Sequence, residues 1–368
     1  MSAKDAIRHF AVFLNSYVAI VVVTAGLILN MLSIYVLRKG DKGHTPAIHC
    51  YLITLTIWHN SVLLHILLHA IPIYFTGCVI PSEKFFPVYQ AISFGSTAAT
   101  TGTTWVLLAL TVDRFLALCH PIRHRVIGTK SKVKKVMVLI SIFALIFAIP
   151  KVFEIRVAES QNGTCQFIPA RTELSKSTFY WFSYRVVFND VLVSVLPGIL
   201  MCLMSARLSL ALKREFTARR ALLAESSGTY TDEVRRRNKE LRANVLLVAI
   251  IAKSLICSVI PALLGLLRLL IGSDNFAGPY IGIFYVYNDF LSELDCSSNF
   301  FVFVFFSKKF RRTCKIIIYT SFVGRIYLKM TNTTMEFSSN DSNSNSSRRT
   351  YATSISEKDS IRMRAPVY

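Results

Sequence analysis

Between Phe85 and Val112 the chain carries no Asp, Glu, Lys or Arg. A tract that long without charge excludes the surface of a water-soluble domain and fits a helix crossing a bilayer, which takes about 20 residues. Acidic residues are scarce throughout, 21 against 42 Lys plus Arg, and the charges cluster in blocks between apolar runs instead of spreading over the sequence. Phosphate-cradling glycine loops, nucleophile elbows and metalloprotease motifs are absent, so neither an enzyme nor a cofactor is expected. The first apolar run is too long for a signal-peptide core and ends in "RKGDKG" without a small-residue cleavage pattern, which reads as a retained anchor. Inverted halves of the kind common in transporters leave no trace.

What is present is a series of apolar runs, at 11–37, 47–75, 87–112, 136–150, about 180–206, 243–271 and 279–306. Seven such runs predict an all-α membrane protein, a seven-transmembrane helix bundle. The third is rich in Thr, Ser and Gly, suiting a helix packed among other helices rather than one facing lipid. With the N-terminus outside, the inner segments hold 32 Lys and Arg and the outer ones 7, the bias that sets orientation. Topology and contact with anionic membrane lipids then account for the basic balance, and no nucleic-acid partner is needed. Residues 1–10 form a short extracellular N-terminus and 11–306 the transmembrane domain. Residues 307–318 read as an amphipathic helix on the inner leaflet, and 331–368 as a disordered, Ser/Asn-rich cytoplasmic tail.

Of the eight cysteines, only Cys78 and Cys165 fall on the oxidising side in this topology, which predicts a disulfide between them. Asn162, in "NGT", is a glycan acceptor in the same outer loop, whereas the sequons at Asn332, Asn340 and Asn345 are cytoplasmic and stay bare. Cys314, in the amphipathic segment, is either a lipidation site or an ordinary thiol.

Directly after the uncharged third run stand Asp113 and Arg114, in "TVDRFLALCHP". A lone charge deep in a bilayer costs several kcal/mol, so the pair belongs at a helix end where each neutralises the other. Here the sequence resembles the rhodopsin-like G-protein-coupled receptors, with Phe115 for the usual tyrosine of the Asp/Glu-Arg-Tyr motif and Pro121 in the second inner loop. Asn30, Trp105, Pro197 and Pro261 fall at further landmarks, and "NFFVF", Asn299 to Phe303, stands for the seventh-helix Asn-Pro-x-x-Tyr. The resemblance implies that Arg114 is a switch, paired with Asp113 at rest and turned toward a heterotrimeric G protein when the sixth helix swings outward. Glu240 lies near the usual second acidic partner, one residue out of step. Tail Ser and Thr residues would accept phosphate from a receptor kinase and recruit arrestin.

The departures are informative. His59 stands where most relatives have a sodium-binding aspartate, and a core polar network of Asn30, His59 and Asp295, with a His59–Asp295 pair, is expected in its place. Val259 replaces an aromatic toggle, and Tyr89 replaces the third-helix cysteine, leaving Cys78 to serve. Ser96 at the amine-receptor aspartate position and Glu293 at the retinal-lysine position set aside amine and retinal ligands.

"IPKVFE" and "ARTEL" resemble segments of the FMRFamide-type neuropeptide receptors of invertebrates. An extracellular peptide ending in Arg-Phe-amide brings a cation that needs a buried carboxylate. Asp289, Glu293, Glu154 and Asp190 are the candidate ligand-binding acids, the alternative being internal pairing with Arg185 or Arg268. Phe284, Tyr285 and Tyr287 are candidate packing partners for the ligand's phenylalanine. His65 and His69 share a helix face without a completing acid or thiol, which favours packing over metal. A chemosensory receptor of the same fold for a small ligand is the alternative function, and a transporter or channel the alternative from another class.

Overall fold

The computed structural model describes residues 18–39, 46–160, 165–225, 244–257 and 281–318. Backbone amides in hydrocarbon have no water to bond, so an apolar run of spanning length closes its hydrogen bonds on itself as helix. The described runs do so: α1 (Ala19–Lys39), α2 (Pro46–Thr76), α3 (Phe86–Cys119) and α5 (Lys130–Val152) are single helices. The fifth run starts as a π-helix, Trp181–Val195, and continues as α6 (Leu196–Glu225). Pro197 lacks an amide and crowds the carbonyl one turn before it, and the wider winding directly upstream gives that carbonyl room.

Five of the described helices are long and apolar enough to cross a membrane. The sixth run is represented by α7 (Asn244–Cys257), and the seventh by α8 (Ile281–Ser297) and α9 (Asn299–Phe306). The expectations for residues 1–10 and 331–368, and those for Asn162, Glu240, Val259, Pro261 and Arg268, lie outside the described residues.

Helix α3 packs against α2, α5 and α6, while α1 packs against α2 and the two seventh-run helices. In the most apolar 18-residue stretch of the third span 50% of residues are buried, against 22% in that of the fourth, which makes α3 the interior helix its composition suggests. Its small residues permit the approach: a Cβ on Gly102 would run into the Trp58 indole, and one on Gly95 into the His65 ring. Several of its hydroxyls bond within the helix, Thr97, Thr100 and Thr111 donating to the carbonyls of Ser93, Ser96 and Leu107 at 3.0, 3.0 and 2.8 Å. Outward faces carry exposed aliphatics such as Val21, Ile28, Leu139 and Ile146, which suit lipid and not water.

Two elements escape the sequence reading. Pro121–Ile127 forms a short helix, α4, with proline at its first turn and Gly128 closing it through a 2.8 Å bond to the His124 carbonyl. The other is a loop hairpin within the otherwise helical bundle, β1 (Ile155–Glu159) antiparallel with β2 (Phe167–Arg171), in register from Ile155↔Arg171 to Glu159↔Phe167. After the extended Ser307, whose hydroxyl accepts the Phe310 amide at 3.1 Å, helix α10 (Lys308–Ile318) occupies the predicted amphipathic segment. By backbone contacts the chain divides into Met1–Thr313 and Cys314–Tyr368; the bundle belongs to the first unit, and Cys314 begins the second, with its side chain buried.

Candidate functional site

At the end of α3, Arg114 and Asp113 are 5% and 6% exposed. Arg114 Nε donates to Asp113 Oδ2 at 3.0 Å and Nη2 donates to the same oxygen, while Nη1 reaches across to Asn244 Oδ1 of α7 at 3.2 Å. Asp113 Oδ1 takes His124 Nε2 of α4 at 3.1 Å. The arginine therefore ties the third run to the sixth through a neutral amide, one turn beyond the expected Glu240. Phe115 packs edge-on against His120, the residue before Pro121.

Deeper in the bundle Asn299 is fully buried. Its Oδ1 accepts Lys253 Nζ of α7 at 2.7 Å and its Nδ2 donates to His59 Nδ1 at 2.5 Å. A lysine only donates, so the amide orientation follows, and His59 must hold its proton on Nε2. Lys253 Nζ also donates to the Asp295 carbonyl at 2.5 Å and lies 3.0 Å from Asp295 Oδ1, which accepts Ser254 Oγ at 2.9 Å. The expected His59–Asp295 pair is thus corrected. The aspartate faces an ammonium from the sixth run, and the histidine takes the asparagine one turn further along. Asn30 joins the seventh run through backbone, its Nδ2 donating to the Cys296 carbonyl at 2.9 Å. Phe303, buried, meets Phe310 at 5.4 Å between ring centres.

Toward the other end, a cavity of about 670 Å³, counting space open to solvent, lies among Thr97, Lys151, Glu154, Trp181, Arg185 and Asp190. Glu154 is 1% exposed and fully engaged. It accepts Arg185 Nη2 at 2.8 Å on one oxygen and Arg185 Nε at 3.3 Å on the other, with Lys151 Nζ at 2.7 Å and Tyr180 Oη at 3.1 Å. Burial alone would raise this carboxyl, but Arg185 and Lys151 outweigh it and hold it below the ordinary carboxylate range. The internal alternative therefore describes Glu154, whose lone pairs are taken before any ligand arrives. Asp190 accepts Asn189 Nδ2 at 2.8 Å at the cavity edge. Asp289 is exposed on α8, whereas Glu293, one turn on, is 3% exposed and its Oε2 has no hydrogen-bond partner among the described residues. Of Phe284, Tyr285 and Tyr287 only the helical backbone is described. His65 donates to the Ser61 carbonyl at 2.5 Å, and His69 lies 6.0 Å from the Tyr89 ring.

The hairpin is pinned at both ends. Gly77, at φ +70°, ends α2 and turns the chain into Cys78, which is disulfide-bonded to Cys165 as expected, and Ile80 bridges Phe167. At its base the Thr172 hydroxyl donates to the Phe153 carbonyl at 2.7 Å and the Thr172 amide to the Glu154 carbonyl at 3.0 Å. The segments "IPKVFE" and "ARTEL" thus form one junction. A disulfide closing a separation of 87 residues contributes about 2–5 kcal/mol. Cys78→Ser, Cys165→Ser and the double variant are expected to lose the same share of surface expression, scored by flow cytometry of a tagged chain. Additive losses would mean that the sulfurs act separately.

An interior third helix ending in a buried Asp-Arg pair, a polar centre on the seventh run and a disulfide-held hairpin are set in a helical bundle with membrane-length apolar helices. The model of the 7 transmembrane receptor (rhodopsin family) matches residues 29–299, and the chain belongs to that family. It is a multi-pass membrane protein of a receptor family and not an enzyme. Among curated proteins it is 25% identical to the thyrotropin-releasing hormone receptor of Gallus gallus, covering 48% of this chain and 45% of that one. It is 23% identical to neuromedin-U receptor 2 of Mus musculus, over 54% and 50%, and 29% identical to the pyrokinin-1 receptor of Drosophila melanogaster, over 43% and 36%. The chain spans about half the length of these relatives, or less.

Residues missed by the sequence reading are Asn244, His124, Lys151, Tyr180 and Lys253. Only Lys253 carried a signal, being a cation inside an apolar run.

Proposed function

We propose that the chain is a plasma-membrane receptor for an extracellular, C-terminally amidated peptide of the Arg-Phe-amide kind, signalling through a heterotrimeric G protein. The observation that carries the ligand class is Glu293, a carboxylate buried in the bundle with an oxygen unpartnered among the described residues. A buried carboxyl group with an unmade hydrogen bond suits a cationic donor, and a peptide arginine brings one in a geometry that matches it. Asp289, one turn away on the same face, and Asp190 at the cavity edge add acidic character along the approach. The neuropeptide receptors among the relatives support a peptide over a small environmental chemical. The Lys and Arg bias supports an N-terminus outside and an Arg114 end inside, where Asp113, Arg114, Phe115, Pro121, Asn299 and Phe303 would serve G-protein coupling and activation. A receptor kinase and arrestin would act on the tail, lipid on Cys314 and a glycan on Asn162.

The test is a calcium or cyclic-AMP readout against amidated peptides and their free-acid forms. The amidated forms should activate, and Glu293→Gln should raise the half-maximal concentration about 100-fold, the scale for removing one partner of a buried charge pair. Equal potency of amide and acid, or of wild type and Glu293→Gln, would overturn the ligand class.

A further inference from the structure

The ligand reading leaves Lys253 without a role, and a lysine held inside a helical bundle needs one. Its ammonium has three protons and three acceptors: the Asp295 carbonyl, Asp295 Oδ1 and Asn299 Oδ1, at 2.5, 3.0 and 2.7 Å. All three belong to the seventh run, so the donor capacity of this cation is spent on joining α7 to α8 and α9. The same helix is joined to α3 at its other described end, by Arg114 Nη1 to Asn244 Oδ1 at 3.2 Å. The two ties are nine residues apart, about 13 Å along a helix rising 1.5 Å per residue. One holds the end that meets Arg114, and the other holds a point nine residues further along against a different neighbour.

From this geometry we propose that Lys253 is a latch: its contacts with Asp295 and Asn299 hold the sixth span against the seventh and set the resting level of signalling. A contact made in only one of two arrangements shifts their ratio by its own free energy, so loosening the latch populates the arrangement in which α7 has left Arg114. The inference rests on the receptor reading for its signalling consequence and on geometry alone for the tie.

The experiment compares wild type, Lys253→Met and Lys253→Met/Asp295→Asn. Lys253→Met leaves a buried aspartate unpaired and risks poor folding, whereas the double variant restores neutrality without restoring the tie. Agonist-independent nucleotide exchange is measured in membranes with added G protein, normalised to receptor amount. In parallel, spin labels at Val126→Cys of α4 and Val245→Cys of α7 report the separation of those elements in purified receptor. The expected result is at least a tenfold rise in basal exchange in the double variant, equivalent to about 1.4 kcal/mol, with a new longer-distance population. Basal exchange and distances both at wild-type values in the double variant would overturn the latch, because charge burial alone would then explain any defect of Lys253→Met. A distance shift without exchange in any variant would keep the latch and overturn the receptor reading instead.

Discussion

Arg114→Ala is expected to reach the cell surface at near wild-type levels and to bring agonist-driven nucleotide exchange down to that of cells lacking the receptor. The guanidinium is buried and bonded to Asp113 and to Asn244 of the sixth run, so in this arrangement it is unavailable to any partner outside the bundle. The cost of removing it is limited, because Asp113 keeps His124 as a hydrogen-bond partner and Asn244 is a neutral amide. What disappears is the group that, in the proposed coupling mechanism, would leave this pocket and offer a planar, bidentate cation to the G protein. Arg114→Lys distinguishes charge from shape: it preserves the cation but not the fork, and an intermediate response is expected. Full signalling by a well-expressed Arg114→Ala would remove Arg114 from the coupling mechanism.

Glu154→Ala should produce the largest loss of stability of any single change at the hairpin end. The carboxylate is the shared acceptor of Lys151, Tyr180 and Arg185, and its deletion leaves two cations facing each other in a half-buried site. Breaking a buried pair by removing one partner costs about 3–5 kcal/mol, whereas replacing both partners by apolar groups is often close to neutral. Glu154→Leu/Arg185→Met should therefore be more stable than Glu154→Ala, read as thermal unfolding of detergent-purified receptor. A double variant no better than the single would mean that the site is held by packing and not by charge. The folded-state carboxyl lies below its ordinary value of 4.5. The stabilisation is accordingly complete above about pH 4.5 and is lost as pH falls through the lower folded value. Mildly acidic conditions of about pH 5–6 should leave it intact.

The positions of the membrane runs, the Asp113–Arg114 pair at a helix end and the Cys78–Cys165 bond were legible because each follows from one-dimensional rules about charge, length and compartment. Partners across helices were not. The spans are apolar around most of their circumference, so periodicity does not say which face of one meets which face of the next. That is why His59 was paired with Asp295 when the structure gives it Asn299, and why Asn244 went unnoticed beside an acidic residue one turn away. The hairpin was hidden for a different reason. Its strands "IRVAE" and "FIPAR" are short, poorly alternating and interrupted by Pro169, and the junction at Thr172 that fixes them is a matter of backbone carbonyls. The two segments that suggested a ligand class are the two sides of this junction, so their likeness to other receptors is explained by architecture before it is explained by ligand.

The anchoring of the hairpin bears on kinetics as well as on shape. A loop that must fold over its guest charges the complex with its own lost entropy, and association then waits on the loop. Here contacts at Cys165, Phe167 and Thr172 fix the second strand at three places without any ligand bound. For the proposed peptide ligand, arrival would then resemble docking onto a finished surface, and differences in affinity among related peptides are expected in how long each stays bound.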